Sequence, residues 1–442
     1  MENHIHDKVT GKMIKTVKDL PSNVANGIAS GTKDSALEIK KFVLKMKEYA
    51  LTFMNTYTWV IFFIILVFII KFYFHQLDKE EGNLVTLNRD LEIFNPRIRG
   101  LVKKEYDKDI LIRDYFVMGS YNSCAGGDSW QDWIGIDILR KIISTGVRVL
   151  DFEIYIKDGE CIVGVGPEAE KGKFVLKGSY NSLNFNTVLN TINAYAFGSG
   201  APNPEDPLFI NLRIKTNKPV IYEKIASAIL KEISKSRRLS HDNGNLQHTV
   251  YANLHNRFES KNTTYKNIID QPLKLIKGKA VFICNDIATN SFWGQWNDNY
   301  NGSNKNQYIF MACINISNCI GNCLLLKSFD VVYNHNAKGL KKDLKRVIGL
   351  SIPDITTTGK NPKWEIHSRY GCQFTLMKFS KRDAELISYI KNWDLARKAF
   401  IVKPRHLRYF PVILKVPVVQ KKEYGYGPRK YKSEFSSPLT NI

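Results

Sequence analysis

Between residues 100 and 400, short apolar runs alternate with stretches in which apolar residues recur every three to four positions. Runs that are apolar on both faces read as buried parallel strands, and the three-to-four spacing reads as helices that cover them. The pattern predicts strands over 115–119, 148–155, 161–165, 208–214, 280–284, 347–352 and 373–379. It predicts helices over 134–144, 185–196, 220–234 and 382–396. This alternation is that of an α/β domain, and ~300 residues of it suit a TIM (β/α)8-type barrel, typically about 250 residues before insertions. An open doubly wound sheet is the alternative, but no Gly-rich phosphate loop follows the first strand in the form it requires. The polar, turn-rich stretches 236–261 and 292–307 read as insertions.

Ahead of that domain the pattern changes to one long apolar run, 57–74, interrupted strongly only by Thr58 and Lys71. With 51–56 in front of it the run supplies the ~20 helical residues that a bilayer core demands, and Lys71 can snorkel to the interface. Tyr57, Trp59 and Tyr73 stand where an interfacial aromatic belt would lie. A cleaved signal peptide would sit nearer the terminus and have a shorter apolar core. The chain therefore divides into a basic segment 1–50 with an amphipathic helix at 36–49, a single transmembrane helix at 51–76, a polar connector 77–99, the barrel domain 100–400 and a tail 401–442. Lys40, Lys41, Lys45 and Lys47 before the span outweigh Lys71 and Lys79 after it. A single-pass membrane protein with a cytosolic N-terminus is the expectation from that asymmetry.

Charge narrows the partners to a class. Lys and Arg number 64 against 42 Asp and Glu, a net charge of +22, which attracts polyanions such as anionic lipid headgroups, acidic protein surfaces or nucleic acid. The tail is basic, and Pro404, Pro411, Pro417, Pro428 and Pro438 interrupt any helix in it, so it reads as an extended arm that could lie on an acidic partner or on the domain itself. No recognised nucleic-acid module accompanies the charge, which places nucleic acid last. Seven cysteines are too few for a disulfide scaffold and lack zinc-type spacing.

The chemistry concentrates in Gly-Val-Arg-Val-Leu-Asp-Phe-Glu-Ile-Tyr, residues 146–155. Side chains alternate along a strand, so Asp151 and Glu153 share one face of a run that otherwise reads as buried. An ionised carboxylate in such a place must meet a cation or strong donors. A metal, a ligand and an ion pair with a neighbouring Arg or Lys all satisfy that demand. In a parallel barrel, ligands meet the carboxyl ends of the strands, and Asn122 in Gly119-Ser120-Tyr121-Asn122-Ser123-Cys124 would converge there with the two acids.

These residues resemble the X region of phosphatidylinositol-specific phospholipase C, within the PLC-like phosphodiesterase superfamily of TIM barrels. Residues 119–124 resemble its Ser-His-Asn-Thr loop, 146–155 its Gly-Cys-Arg-x-x-Glu-Leu-Asp strand, 162–166 its Tyr-His-Gly strand, and 208–215 its Ser-Leu-Glu strand. Gly278-Lys279, Asn361-Pro362 and Gly371-Cys372-Gln373 follow in family order. With its anchor and basic tail the chain looks closest to the membrane-anchored versions in large DNA viruses. The resemblance implies a phosphoric diester hydrolase in which two histidines move protons while Asn and carboxylates hold Ca²⁺. Here Tyr121 and Val165 stand at the histidine positions; valine transfers no proton, and a phenol with a pKa near 10 is a poor base at neutral pH. Asn122, Asp151 and Glu153 match three calcium positions, but Arg213 stands at the fourth. Pairing of Arg213 with the acids is preferred over a Ca²⁺ cofactor. The resemblance therefore implies a membrane-anchored protein that has lost two-histidine catalysis and serves a structural or binding role, possible sites being a virion membrane, with capsid or other structural proteins as partners of the tail. An active phosphodiesterase using His335, His367 or Tyr121, and a lipid-headgroup binding module, are the alternatives.

Overall fold

The computed structural model describes residues 41, 44, 45, 56–94, 97–127, 132–166, 178–216, 220–233, 268–285, 314–316, 323–354, 359–410, 430–433 and 436–441. It comprises two units, Met1–Arg408 and Tyr409–Ile442. In the second, Lys430–Ser433 pairs antiparallel with Ser436–Asn441, a local hairpin within the expected extended tail. The expected insertions 236–261 and 292–307 and the amphipathic helix at 36–49 lie wholly or mostly outside the described residues.

The first unit opens with a long helix, α1 (Thr56–Phe94). The strands are β1 (Tyr115–Ser120), β2 (Val149–Lys157), β3 (Glu160–Gly164), β4 (Leu183–Asn184), β5 (Leu208–Ile214), β6 (Ala280–Asn285), β7 (Ile314–Ile316), β8 (Cys323–Lys327), β9 (Ile348–Ile352), β10 (Phe374–Met377) and β11 (Phe400–Val402). Between them run α2 (Ile136–Ser144), α3 (Phe185–Ala196), α4 (Val220–Glu232), α5 (Ser328–Val332), α6 (Ala337–Asp343), α7 (Trp364–Tyr370) and α8 (Ala384–Ala396).

Strand pairing returns to its start. The order β1-β10-β9-β8-β7-β6-β5-β2 is parallel at every step, and β2 pairs with β1 again at Gly119↔Val149. Gly119 permits that closure, because a Cβ there would lie 2.5 Å from Leu376 Cδ2 and 3.0 Å from Val149 Cβ. Where β1 and β2 diverge, β11 pairs antiparallel with the first half of β1, filling the gap. Every residue of β1, β5, β9 and β10 is buried, as strands enclosed on both faces must be. Phe209 packs at 4.9 Å from Phe374 and 6.5 Å from Phe400, ring centre to ring centre. The β2–β3 hairpin turns on Asp158-Gly159, both at positive φ, the two-residue turn whose twist matches its strands.

Helix ends carry their own signals. Asn184 caps α3 by accepting from Asn186 N, Asp383 caps α8 by accepting from Leu386 N, and Gly371, at φ 94°, ends α7. The mixed α/β architecture agrees with the sequence reading, with β4, β7, β8, β11 and α5 to α7 added to it.

The stretch 77–99, expected as a connector, is helix as far as Phe94 and packs on the domain through Leu87 and Leu91, 2% and 4% exposed. The expected transmembrane helix at 51–76 begins outside the described residues, and among the described residues no helix is long and apolar enough to cross a membrane.

Candidate functional site: a buried guanidinium at the strand ends

Parallel pairing of β2 with β5 places Asp151 opposite Asn211 and Glu153 opposite Arg213. Side chains two apart share a face, so these four project together. Chain reversal after β1 brings in Tyr121 and Asn122. Asn122 adopts φ 43°, a left-handed conformation that Asn tolerates better than most residues, and its N–H donates to Asp151 Oδ2 at 3.0 Å.

Arg213 lies at the centre, and each of its five N–H donors has a partner. Nε donates to Asp151 Oδ1 at 3.0 Å; Nη1 donates to Glu153 Oε1 at 2.7 Å and to the Tyr121 hydroxyl at 3.3 Å. Nη2 donates to Asp151 Oδ2 at 2.7 Å and to Asn122 Oδ1 at 2.5 Å. The Tyr121 ring lies against the guanidinium, Cζ 4.5 Å from its centre. Arg213 is 3% exposed, and the two acids hold its charge well above an already high ordinary pKa, against the cost of burial.

The carboxylates are equally satisfied. Asp151 Oδ1 also accepts from Asn211 Nδ2 at 2.6 Å, and Glu153 Oε2 accepts from the Tyr155 hydroxyl at 2.7 Å and from Gly166 N at 2.8 Å. One cation faces two buried anions, and these neutral donors offset the excess negative charge. The Ser123 hydroxyl accepts from Asp151 N at 3.0 Å and lies within hydrogen-bond reach of the Ser120 hydroxyl.

Of the residues expected from sequence, Tyr121, Asn122, Asp151, Glu153 and Arg213 are brought into direct contact, and Val165 lines the same space just beyond β3. That space, bounded also by Cys124, Ile134 and Gly164, has no room for a water molecule. Sequence reasoning missed Asn211 and Tyr155. The signal for both was the two-residue spacing that tied Asp151 to Glu153, since each lies two positions from a named residue on its own strand.

A cation does not fit this arrangement. Asn122 Oδ1, both Asp151 oxygens and Glu153 Oε1 receive hydrogen bonds from Arg213, whose charge repels a second cation, and Glu153 Oε2 is taken by Tyr155 and Gly166. Among the described residues, no group of three His, Cys, Asp or Glu is placed to hold a metal. The guanidinium stands among the oxygens that the resemblance assigns to Ca²⁺.

Neither candidate histidine meets these residues. His367, in α7, is fully buried with Nε2 3.3 Å from the Ser328 hydroxyl, and burial pushes its pKa down to about 4. His335 is exposed between α5 and α6. Burial holds the Tyr121 phenol far above its ordinary pKa, which further unsuits it as a base. Cys124, Cys161, Cys284, Cys323 and Cys372 are buried free thiols; Cys313 and Cys319 lie outside the described residues.

No family model matches the chain, and no curated protein matches it. Among solved structures, it is similar to PLC21 of L. pealei, at 13% identity and a TM-score of 0.49, and to PLC21 of S. officinalis, at 13% and 0.48. In each case the match covers 68% of this chain and 38% of the other, so the chain spans well under half the length of those proteins. It is also similar to a calcium-dependent phosphoinositol-specific phospholipase C of Pseudomonas sp., at 9% identity and a TM-score of 0.34, over 70% of this chain and 99% of that one.

Proposed function

We propose that the chain is a membrane-tethered protein of the PLC-like phosphodiesterase superfamily, its ring of parallel strands a (β/α)8 barrel, in which an ion-pair network has replaced the reaction centre and the role is binding or structural. The observation that carries this reading is the use of all five Arg213 donors by Tyr121, Asn122, Asp151 and Glu153. A guanidinium so committed has no donor left for a phosphate, and no imidazole stands at Tyr121 or Val165 to move a proton. The eight-step parallel pairing and the ordered run of family-like segments support the superfamily; the exposed apolar end of α1 supports the tether.

The test is hydrolysis of a phosphoinositide panel by the purified full chain, with Ca²⁺ and with chelator. The expected result is no release of inositol phosphate in either condition; release in either overturns the reading. A second reading, recognition of an anionic lipid headgroup at the strand ends, draws support from Lys378 at the end of β10, whose Nζ stands 5.9 Å from the Tyr121 ring centre, and from the net charge of +22. Co-sedimentation with vesicles that carry or lack phosphoinositides separates the two: headgroup-dependent binding supports the second reading, and indifference to headgroup supports a structural role.

A further inference from the structure

Helix α1 is continuous from an apolar end whose large side chains are mostly exposed among the described residues to a polar end docked on the domain, and its direction is set by named contacts. Asp90 pairs with Arg382 at 3.2 Å, and Arg382 stands between the end of β10 and the start of α8, on the side where the parallel strands end. Beyond α1, Arg97 N donates to Asp394 Oδ1 at 2.8 Å and Arg99 N to the Arg397 carbonyl at 3.0 Å, at the far end of α8. The helix therefore descends along α8 from the strand-end side to the opposite side. Ahead of Asp90, Asn83 Nδ2 donates to Asp132 Oδ1 at 2.6 Å and Lys79 Nζ lies 3.4 Å from Asp132 Oδ2. Asp132 belongs to the connection between β1 and α2, again at the strand ends. All of α1 ahead of Lys79 thus extends past the strand-end side of the ring.

That end is apolar around its circumference except at Lys71. Trp59, Val60, Ile61, Phe63, Ile64, Ile65, Val67, Phe68, Ile69, Ile70, Phe72 and Phe74 are each between 38% and 69% exposed. A protein partner or a second copy would cover one stripe of such a helix and leave the rest in water, whereas lipid surrounds all of it. From Lys79 to Phe74 the helix rises about 8 Å, close to the ~5–8 Å thickness of one headgroup layer.

We infer that α1 is a rigid post that inserts in a lipid bilayer and holds the ring with its strand ends, and the Arg213 network beneath them, facing the headgroups. The inference rests on the tether in the reading above but not on the fate of the reaction centre. It makes the occupant of the strand-end surface a component of that membrane rather than a solute arriving from the far side.

The experiment uses the full chain reconstituted in phosphatidylcholine–phosphatidylserine vesicles that contain an acceptor-labelled lipid. A donor fluorophore is attached through a non-canonical amino acid at Phe329, exposed beside the end of β8, or at Leu275, exposed ahead of β6 on the opposite side. The chain is expected to float with the vesicles and to show stronger energy transfer from position 329 than from position 275. Failure to float overturns the tether, and with it the proposed function; flotation with equal or reversed transfer overturns the orientation alone. In Gly82→Pro, which breaks α1 between its inserted and docked parts at a position where an added side chain meets nothing, flotation is expected to persist and the difference between the two positions to shrink. A difference that survives this change overturns the rigid post. A stable oligomer that buries the same residues without lipid overturns the bilayer as occupant.

Discussion

At Arg213 the energetic balance is one-sided. Removing one partner of a buried ion pair leaves an uncompensated charge and costs about 3–5 kcal/mol. Here the loss exposes two carboxylates to each other in an interior with no room for water. Arg213→Met is expected to lower stability by about that amount at pH 7. Urea denaturation checks it. Much of this network was legible in advance: a buried strand carrying Asp151 and Glu153 demanded a cation, and Arg213 lay on a strand reading as its neighbour. The closing partners were harder to foresee. Gly166 N and the hydroxyl of Tyr155 come from a hairpin whose register no sequence pattern states, and the main-chain donation from Asn122 depends on a left-handed turn.

Among the elements, the long or strongly periodic ones were readable and the short ones were not. Strand β8, Cys-Leu-Leu-Leu-Lys, is an apolar run too short for periodicity to distinguish from helix, and β7 has three residues. Helix α7 makes two turns and is defined by Gly371 at its end rather than by an apolar stripe. The polar half of α1 reads as a connector because its buried positions, Leu87 and Leu91, are few; their spacing puts them on one face, but only the partner surface reveals that the face is buried. Leu87→Ala and Leu91→Ala are each expected to destabilise the domain by about 2–5 kcal/mol, as buried leucines do. Phe68→Ala, at an exposed position of the same helix, is expected to leave the melting temperature in detergent unchanged. Differential scanning calorimetry of the three variants provides the comparison.

Across the whole molecule, two buried bases each make stability rise with pH in their own window, against the buried Asp114 and Asp206, whose carboxyls burial pushes up. Burial pushes Lys403 down to about 7, its Nζ donating only to the Leu344 carbonyl at 3.0 Å, and pushes His367 down to about 4. Both pKa values are depressed in the folded state, so in each window the unfolded chain binds more protons and stability rises with pH. The His367 window runs from about 4 to 6.5 and the Lys403 window from about 7 upward; from about 9 the buried thiols of Cys124, Cys161, Cys323 and Cys372, and from about 10 the buried phenols of Tyr121 and Tyr389, all held protonated by the fold, oppose the slope. Lys403→Met is expected to stabilise the chain at pH 7 by several kcal/mol, on the order of 1.4 per unit of displaced pKa, and to flatten the upper window alone. Chemical denaturation across that range, for wild type and variant, measures both effects.

The five committed donors of Arg213 also bear on how such a chain can change. To install a calcium-binding carboxylate at that position by one codon replacement is to set three acids against one another before any metal has arrived. A lineage attempting that step passes through a molecule weakened where it can least be spared. Such a change therefore calls for concerted replacements of Arg213 and its acid partners.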